Sequence, residues 1–206
     1  MAKMKLYYNA FSPFARKVRV LAIETKLDKK MEMVNVALTP VAPNADVDKH
    51  NPVGKIPALS VKGMDLFDSP LICEYLDNQH KSRKLIPRKG RDRWVALRQQ
   101  ALADGLLDAA VLARYEGALR PEEKRWPEWS QGQVKKVKAV LSQLEAEAKS
   151  LKGKLTIGTI SVACALGYLD LRFADMGWRN DHPKLAKWYA QASKLPSIKS
   201  TVPPQA

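Results

Sequence analysis

Apolar–polar alternation, the mark of a half-buried strand, is confined to the first eighty residues of this 206-residue chain. Beyond residue 90 the apolar positions recur only at helical spacing. A fold that interleaves strands and helices throughout is therefore excluded. The expectation is an α/β unit followed by an all-helical one. Within the first part, Met4–Tyr8 reads as a strand and Pro13–Thr25 as a helix carrying Phe14, Val18, Leu21 and Ala22 on one face. Met31–Val36 reads as a second strand, and Thr39–Asn51 as a turn-rich stretch with brief helix. Ile56–Val61 and Met64–Phe67 predict a hairpin around Lys62-Gly63, and Ser69–Asn78 a helix with Leu71, Ile72, Tyr75 and Leu76 inward. The order is βαβ, crossover, ββα.

Residues 81–90 are basic and turn-rich and read as a linker between a domain at 1–80 and a helical domain at 91–206. In the latter, Arg91–Gly117 shows a helical pattern through Trp94, Leu97, Ala101 and Leu112. Glu122–Lys149 shows another, Thr159–Ala174 is the most apolar helix, and Pro183–Ala192 and a short piece after Pro196 follow. No apolar run reaches the roughly 18 residues of a membrane span, and the apolar stretch after Lys5 is too short for a signal peptide. Cys73 and Cys164 stand far apart in apolar segments, which predicts buried thiols in a reducing cytoplasm. No Cys/His cluster has metal-ligand spacing. The net charge is +14, and it is uneven: residues 1–80 carry 11 Lys and Arg against 9 Asp and Glu, the remainder 24 against 12. The basic residues are not interleaved with aromatics along one stretch, which argues against a nucleic-acid surface.

Three short motifs carry the chemistry. Ser12-Pro13-Phe14-Ala15 follows the first strand, with Pro13 suited to the first helical position and Ser12 to the N-cap. Such a place combines a hydroxyl, free backbone N–H groups and the positive end of a helix dipole. Asn51-Pro52-Val53-Gly54-Lys55-Ile56-Pro57 opens a strand, with an Ile56–Pro57 bond that is either an ordinary trans bond or a cis bond turning the Ile56 backbone outward. Asp68-Ser69-Pro70 is a second acidic and hydroxyl-bearing helix start, of the kind that binds carboxylates. Each alone is an ordinary cap or turn.

In this order and spacing, the motifs resemble the amino-terminal domain of the soluble glutathione S-transferases, which has a thioredoxin-like fold. The resemblance extends over essentially the whole chain and is to a bacterial-like, serine-type member. The stretch Thr159-Ile160-Ser161-Val162-Ala163-Cys164-Ala165 is similar to the family's buried sixth helix. The resemblance implies glutathione as co-substrate, no metal, a cytoplasmic homodimer, and conjugation of glutathione to hydrophobic electrophiles in detoxification. Side activity on peroxides is compatible with it. Ser12 matches the active-site serine. Ile56 and Pro57 match the residues whose backbone meets the cysteinyl part of glutathione. Asp68 and Ser69 match the pair that grips its γ-glutamyl end, and Asp104 a residue that in some relatives reaches that end in the partner subunit. Phe11, Phe14, Arg114, Tyr115, Tyr168 and Arg172 are candidates to line the second-substrate site.

Serine at position 12, with Ala15 three residues on, excludes thiol–disulfide exchange by a Cys-x-x-Cys pair. The competing donor is a phenol, Tyr7 or Tyr8, of which a strand turns only one toward the site. The competing function is a non-catalytic binding, carrier or docking protein on the same fold. One departure concerns folding: Thr159 is the expected cap of the sixth helix, and Val162 leaves it without the reciprocal side chain of a capping box.

Overall fold

The structure is a computed structural model that describes residues 4–204. It divides into two compact units, one comprising the chain up to Arg93 together with the segment from Pro196, the other running from Trp94 to Leu195. The first unit has a thioredoxin-like βαβ-ββα arrangement and the second is all-helical.

In the first unit β1 (Met4–Tyr8) leads to α1 (Pro13–Glu24), β2 (Met31–Asn35), the single turn α2 (Ala45–Asp48), β3 (Ala58–Val61), β4 (Met64–Leu66) and α3 (Ser69–Asn78). The sheet order is β2-β1-β3-β4, with β1 parallel to β2 and the other two pairs antiparallel. The parallel pair needs the crossover that α1 supplies. The antiparallel pair β3–β4 turns through Lys62 and Gly63, both at positive φ (51° and 77°), as a two-residue hairpin turn requires. Strand β3 begins two residues later than expected, because Pro57 has no N–H to give the ladder.

Alternation along β1 divides the core. Leu6, with Leu59, is fully buried, and α1 and α3 pack against each other with Val18, Leu21, Ile72 and Leu76 buried. Tyr7 faces the other way, into a cluster with Val47 and Ala58 flanked by Val34, Val36, Leu38 and Ile56. Leu71, expected inward, is 47% exposed, since α3 buries Cys73 and Asp77 instead. Asp77 accepts the Leu85 and Ile86 N–H groups at 2.9 and 3.0 Å and so ties down the segment after α3. A further short helix near the end of the chain, Pro196–Lys199, packs on α1. There the buried Arg16 donates to the Ile198 carbonyl (3.0 Å) and the Thr201 hydroxyl (3.4 Å).

Helix α4 (Gly90–Ala118) passes into the second unit, which continues with α5 (Pro127–Ala146), α6 (Ile157–Arg172), α7 (Trp178–Asp181) and α8 (Pro183–Ala192), while Pro196–Lys199 is α9. The expected single helix over Glu122–Lys149 is broken. A 3₁₀ turn at Glu122–Lys124 precedes α5, which restarts at Pro127 because proline fits only the first turn. Helix α4 buries Ala96, Ala103, Leu106, Leu107 and Ala110. Of the stripe expected to pack, Trp94, Leu97, Ala101 and Leu112, only Leu97 is half-buried and the other three face outward, with Trp94 68% exposed. Helix α6 is buried on every side over Ile157–Leu169, as an apolar helix at the centre of a bundle must be. Among the described residues no single helix is long and apolar enough to cross a membrane.

The start of α6 corrects the expectation about its cap. The N-cap is Thr156, not Thr159, and the capping box is present. Thr156 Oγ1 accepts the Thr159 N–H (3.3 Å), while Thr159 Oγ1 accepts the Thr156 N–H (2.9 Å). The reciprocal side chain is a hydroxyl in place of the usual Glu or Gln. Replacing Thr156 by Ala is expected to lower stability by about 1 kcal/mol, read from the urea midpoint at unchanged slope.

Candidate functional site

The register of the sheet gathers one edge. Tyr8 pairs with Asn35, Tyr7 with Ala58, and Leu59 with Leu66. The carboxyl ends of β1, β2 and β4 therefore lie beside the amino end of β3. Four connections leave from this edge: those leading to Ser12, onward from Asn35, through Ile56-Pro57, and into Asp68-Ser69. Helices α1 and α3 both begin here, so two sets of unpaired backbone N–H groups and two positive dipole ends serve the same edge.

Each connection is shaped by local chemistry. Asn9 turns the chain after β1: its side-chain amide donates to the Val36 carbonyl (2.8 Å), its Oδ1 accepts the Phe11 N–H (2.9 Å), and its carbonyl accepts the Ser12 N–H (3.0 Å). Ser12 is the N-cap of α1, and its Oγ accepts the Ala15 N–H at 3.2 Å. An oxygen used as acceptor keeps its own proton, so the Ser12 O–H remains available as a donor.

The connection through Ile56-Pro57 is organised by the buried Asn51. Its side-chain amide donates to the Lys55 carbonyl (2.7 Å) and its Oδ1 accepts the Val53 N–H (3.0 Å). Gly54 sits at φ +63°, and an added Cβ would come within 3.3 Å of the Asp48 carboxylate, so glycine is favoured there. The Ile56–Pro57 bond is cis. No hydrogen bond among the described residues uses the Ile56 N–H or C=O. At the connection into α3, Asp68 is the N-cap but makes no side-chain capping bond, and Pro70 follows Ser69 as the second helical residue. The Asp68 carboxylate is exposed and Ser69 is buried. Ser12, Ile56, Pro57, Asp68 and Ser69 thus border one edge of the first unit, whereas Asp104 lies on α4 in the second.

Of the two tyrosines of β1, Tyr7 has its hydroxyl engaged elsewhere. The Tyr7 hydroxyl meets His50 Nε2 at 2.8 Å, the two rings stack with centroids 4.5 Å apart, and His50 Nδ1 meets the Asp65 carboxylate at 2.9 Å. In the Nδ1–H tautomer His50 donates to Asp65 and accepts from Tyr7. Tyr8 lies beneath the Arg19 guanidinium, 5.1 Å from its centre. The Tyr7–His50–Asp65 chain joins β1, the segment after α2 and β4, and sequence reasoning missed it along with the role of Asn9. Replacing His50 by Phe keeps the stack but strands the buried Tyr7 hydroxyl. We expect a loss of about 1–3 kcal/mol in urea unfolding, largely restored in the Tyr7→Phe/His50→Phe double variant.

In the second unit Arg114, Tyr115, Tyr168 and Arg172 form one electrostatic group. Burial pushes the Tyr168 phenol up to about 12, opposed by the charges of Arg114 and Arg172. Burial, and then the charge of Arg114, hold Arg172 below the usual guanidinium range. Among the described residues no cluster of three His, Cys, Asp or Glu side chains is placed to hold a metal ion.

Residues 11–79 match the family model for the glutathione S-transferase N-terminal domain, and residues 127–191 that for the C-terminal domain. A glutathione transferase family member from Pseudomonas fluorescens Pf-5, solved with bound glutathione, is 49% identical with a TM-score of 0.97, covering 98% of this chain and 100% of that one. A second structure from the same source, with bound S-(propanoic acid)-glutathione, superposes over the same extents at 48% identity and a TM-score of 0.92. The uncharacterised GST-like protein YibF of Escherichia coli K12 is 32% identical over 98% of this chain and 100% of its own length.

Proposed function

Because the chain belongs to the glutathione S-transferase family, we propose that it binds glutathione along the edge bordered by Ser12, Ile56 and Ser69 and transfers it to electrophiles. The observation that carries this reading is the Ser12 hydroxyl, which caps α1 through its lone pair and keeps its proton for a ligand. In this reading the Ile56 backbone pairs with the cysteinyl unit. Asp68 and the start of α3 receive the γ-glutamyl ammonium and carboxylate, and Asp104 of a second subunit adds to the ammonium contact. The glutathione bound to the Pseudomonas fluorescens relative supports the ligand.

The energetics are sufficient. A free thiol titrates near 8.5, so only a few per cent is thiolate at neutral pH, and lowering this by about two units requires about 2.7 kcal/mol. A hydrogen bond to a charged acceptor supplies roughly 1.5–3 kcal/mol. A helix N-terminus supplies about 0.3–1 kcal/mol more. Ser12 therefore acts as donor to the sulfur and need not accept its proton. The thiolate attacks an electrophilic carbon, expelling a leaving group or adding to a double bond whose other carbon is then protonated.

The related Pseudomonas fluorescens protein solved with an S-(propanoic acid) adduct supports electrophiles that also carry a carboxylate. That adduct is the addition product that an acrylate-type acid would give. The assembly proposed is a cytoplasmic homodimer in which the exposed α4 stripe of Trp94, Ala101 and Leu112 is covered by a second copy.

Calorimetry with glutathione, combined with the ultraviolet absorbance of bound thiolate at neutral pH, tests the proposal. Binding with thiolate formation, and turnover of acrylate or chlorodinitrobenzene, is the expected result. No binding at millimolar glutathione would overturn it, and binding without thiolate would leave a carrier.

A further inference from the structure

Three side chains at the far end of α3 form a relay that takes no part in the Ser12 edge. Asp77 stands on the last turn of α3, His80 follows the helix, and Ser82 lies two residues further on. His80 Nε2 is 3.1 Å from the Asp77 carboxylate, and His80 Nδ1 is 2.7 Å from the Ser82 hydroxyl. The Asp77 and His80 side chains are only 4% and 7% exposed, whereas Ser82 is open to solvent. Helix α3 has ten residues and is about 15 Å long, so the relay stands a helix length away from Asp68-Ser69.

The proton positions follow from the partners. Both Asp77 oxygens already accept backbone N–H groups, from Leu85 and Ile86 (2.9 and 3.0 Å), and so face His80 as acceptors. Nε2 therefore carries the ring proton, and Nδ1 is left to accept the Ser82 O–H. Lys84 pins the turn by donating to the Asp77 and His80 carbonyls. A serine hydroxyl is a weak nucleophile unless an adjacent base takes its proton, and that base is held in place by a third group. Ser82, His80 and Asp77 fill these three roles. They are the roles found in serine hydrolases, with the two ring nitrogens exchanged. An imidazolium formed at His80 would sit beside the Asp77 carboxylate and at the carboxyl end of α3, both of which favour positive charge.

We propose that Ser82 is a modification site, an acyl acceptor for acyl phosphates. The hydroxyl oxygen bonds to the acyl carbon, the bond from that carbon to the phosphate oxygen breaks, and phosphate leaves with the electron pair. The serine proton passes to His80 Nδ1 and from there to the departing phosphate. The products are an O-acyl serine and hydrogen phosphate. Lys81 and Arg83, exposed on either side of Ser82, draw an anionic donor to the site. The inference is independent of the glutathione reading, because none of the three residues serves the Ser12 edge.

The test is incubation of the full chain with acetyl phosphate at neutral pH, followed by tandem mass spectrometry of its peptides. Hydroxylamine, which cleaves esters and spares amides, separates serine from lysine acetylation. Ser142, exposed on α5 with its hydroxyl given to the Lys138 carbonyl, is the internal reference. Ser82 is expected to be acetylated about 100-fold faster than Ser142, the low end of what a general base contributes. In the His80→Gln variant, with unchanged circular dichroism, Ser82 should fall to the Ser142 rate. Equal rates at the two serines of the unsubstituted chain, an unchanged Ser82 rate in the variant, or acetylation confined to lysines would each overturn the assignment. Labelling of Ser82 by p-nitrophenyl acetate but not by acetyl phosphate would overturn the donor class.

Discussion

Replacing Ser12 by Ala is expected to raise the pKa of enzyme-bound glutathione by one to two units, and to lower kcat/KM at pH 7 roughly 10- to 100-fold, the loss of one hydrogen bond to a charged sulfur. The sign follows from what the hydroxyl favours. In the proposed role it stabilises the thiolate over the thiol, so removing it should move the titration upward and deplete the thiolate at neutral pH. Above the new pKa the variant should approach the wild-type rate. KM for glutathione should change little, because the contacts proposed for Ile56, Asp68 and the start of α3 would be kept. A separate loss of about 1 kcal/mol in stability is expected from the missing cap. Ultraviolet titration of the binary complex separates the two effects. A Tyr8→Phe variant that reproduced the pKa shift while Ser12→Ala did not would transfer the donor role to the phenol.

The largest structural effect is expected at Gly158, in the first turn of α6. A Cβ there would lie 2.6 Å from the Ala96 carbonyl, 2.6 Å from Gln99 Oε1 and 2.7 Å from Gln99 Cβ. Gln99 is itself held to Ser150 at 3.1 Å, so it cannot simply swing aside, and the Ala96 carbonyl belongs to α4. Gly158→Ala should cost about 1–3 kcal/mol through overpacking, despite the better helix propensity of Ala. For a chain of this size that is roughly 2–4 °C in Tm per kcal/mol. Gly132→Ala in α5 is the control. Its Cβ meets nothing within 4 Å, so the propensity gain of up to about 1 kcal/mol should appear with the opposite sign. Thermal melts of the two variants side by side would test both signs. Equal shifts would mean that the α4–α6 contact yields freely.

Helix boundaries were legible where their cause is local. Helices α3 and α8 begin and end at the residues expected, because Asp68-Ser69-Pro70 and Pro183 punctuate them within one turn. Periodicity alone misled where it had no way to say which face is covered. On α4 an apolar stripe exists on both sides, and the buried one is built mainly of alanines, which hydropathy counting underweights. The break before α5 had a signal, Pro127, that the long periodic run overrode. Short α7 had none, because it depends on Trp178 and Arg179 reaching back to Asp170.

The candidate site divides in the same way. Ser12, Pro57, Asp68 and Ser69 stand at starts of elements, where residue type and position imply one another. The Tyr7–His50–Asp65 chain spans 43 residues between its first two members and leaves no trace in any window short of the fold. A buried arginine on α1 is equally invisible, since its partners Ile198 and Thr201 lie more than 180 residues away.

That arginine ties together a first unit that is discontinuous along the chain: it is interrupted at Arg93 and resumes only at Pro196. During synthesis, the helix capped by Ser12 leaves the ribosome early and waits for more than 180 further residues before Ile198 and Thr201 arrive to satisfy Arg16. The uninterrupted helical unit has all its own partners by then, so vectorial folding favours its consolidation ahead of the final closure of the unit that carries Ser12. The oldest part of the nascent chain is the last to be finished.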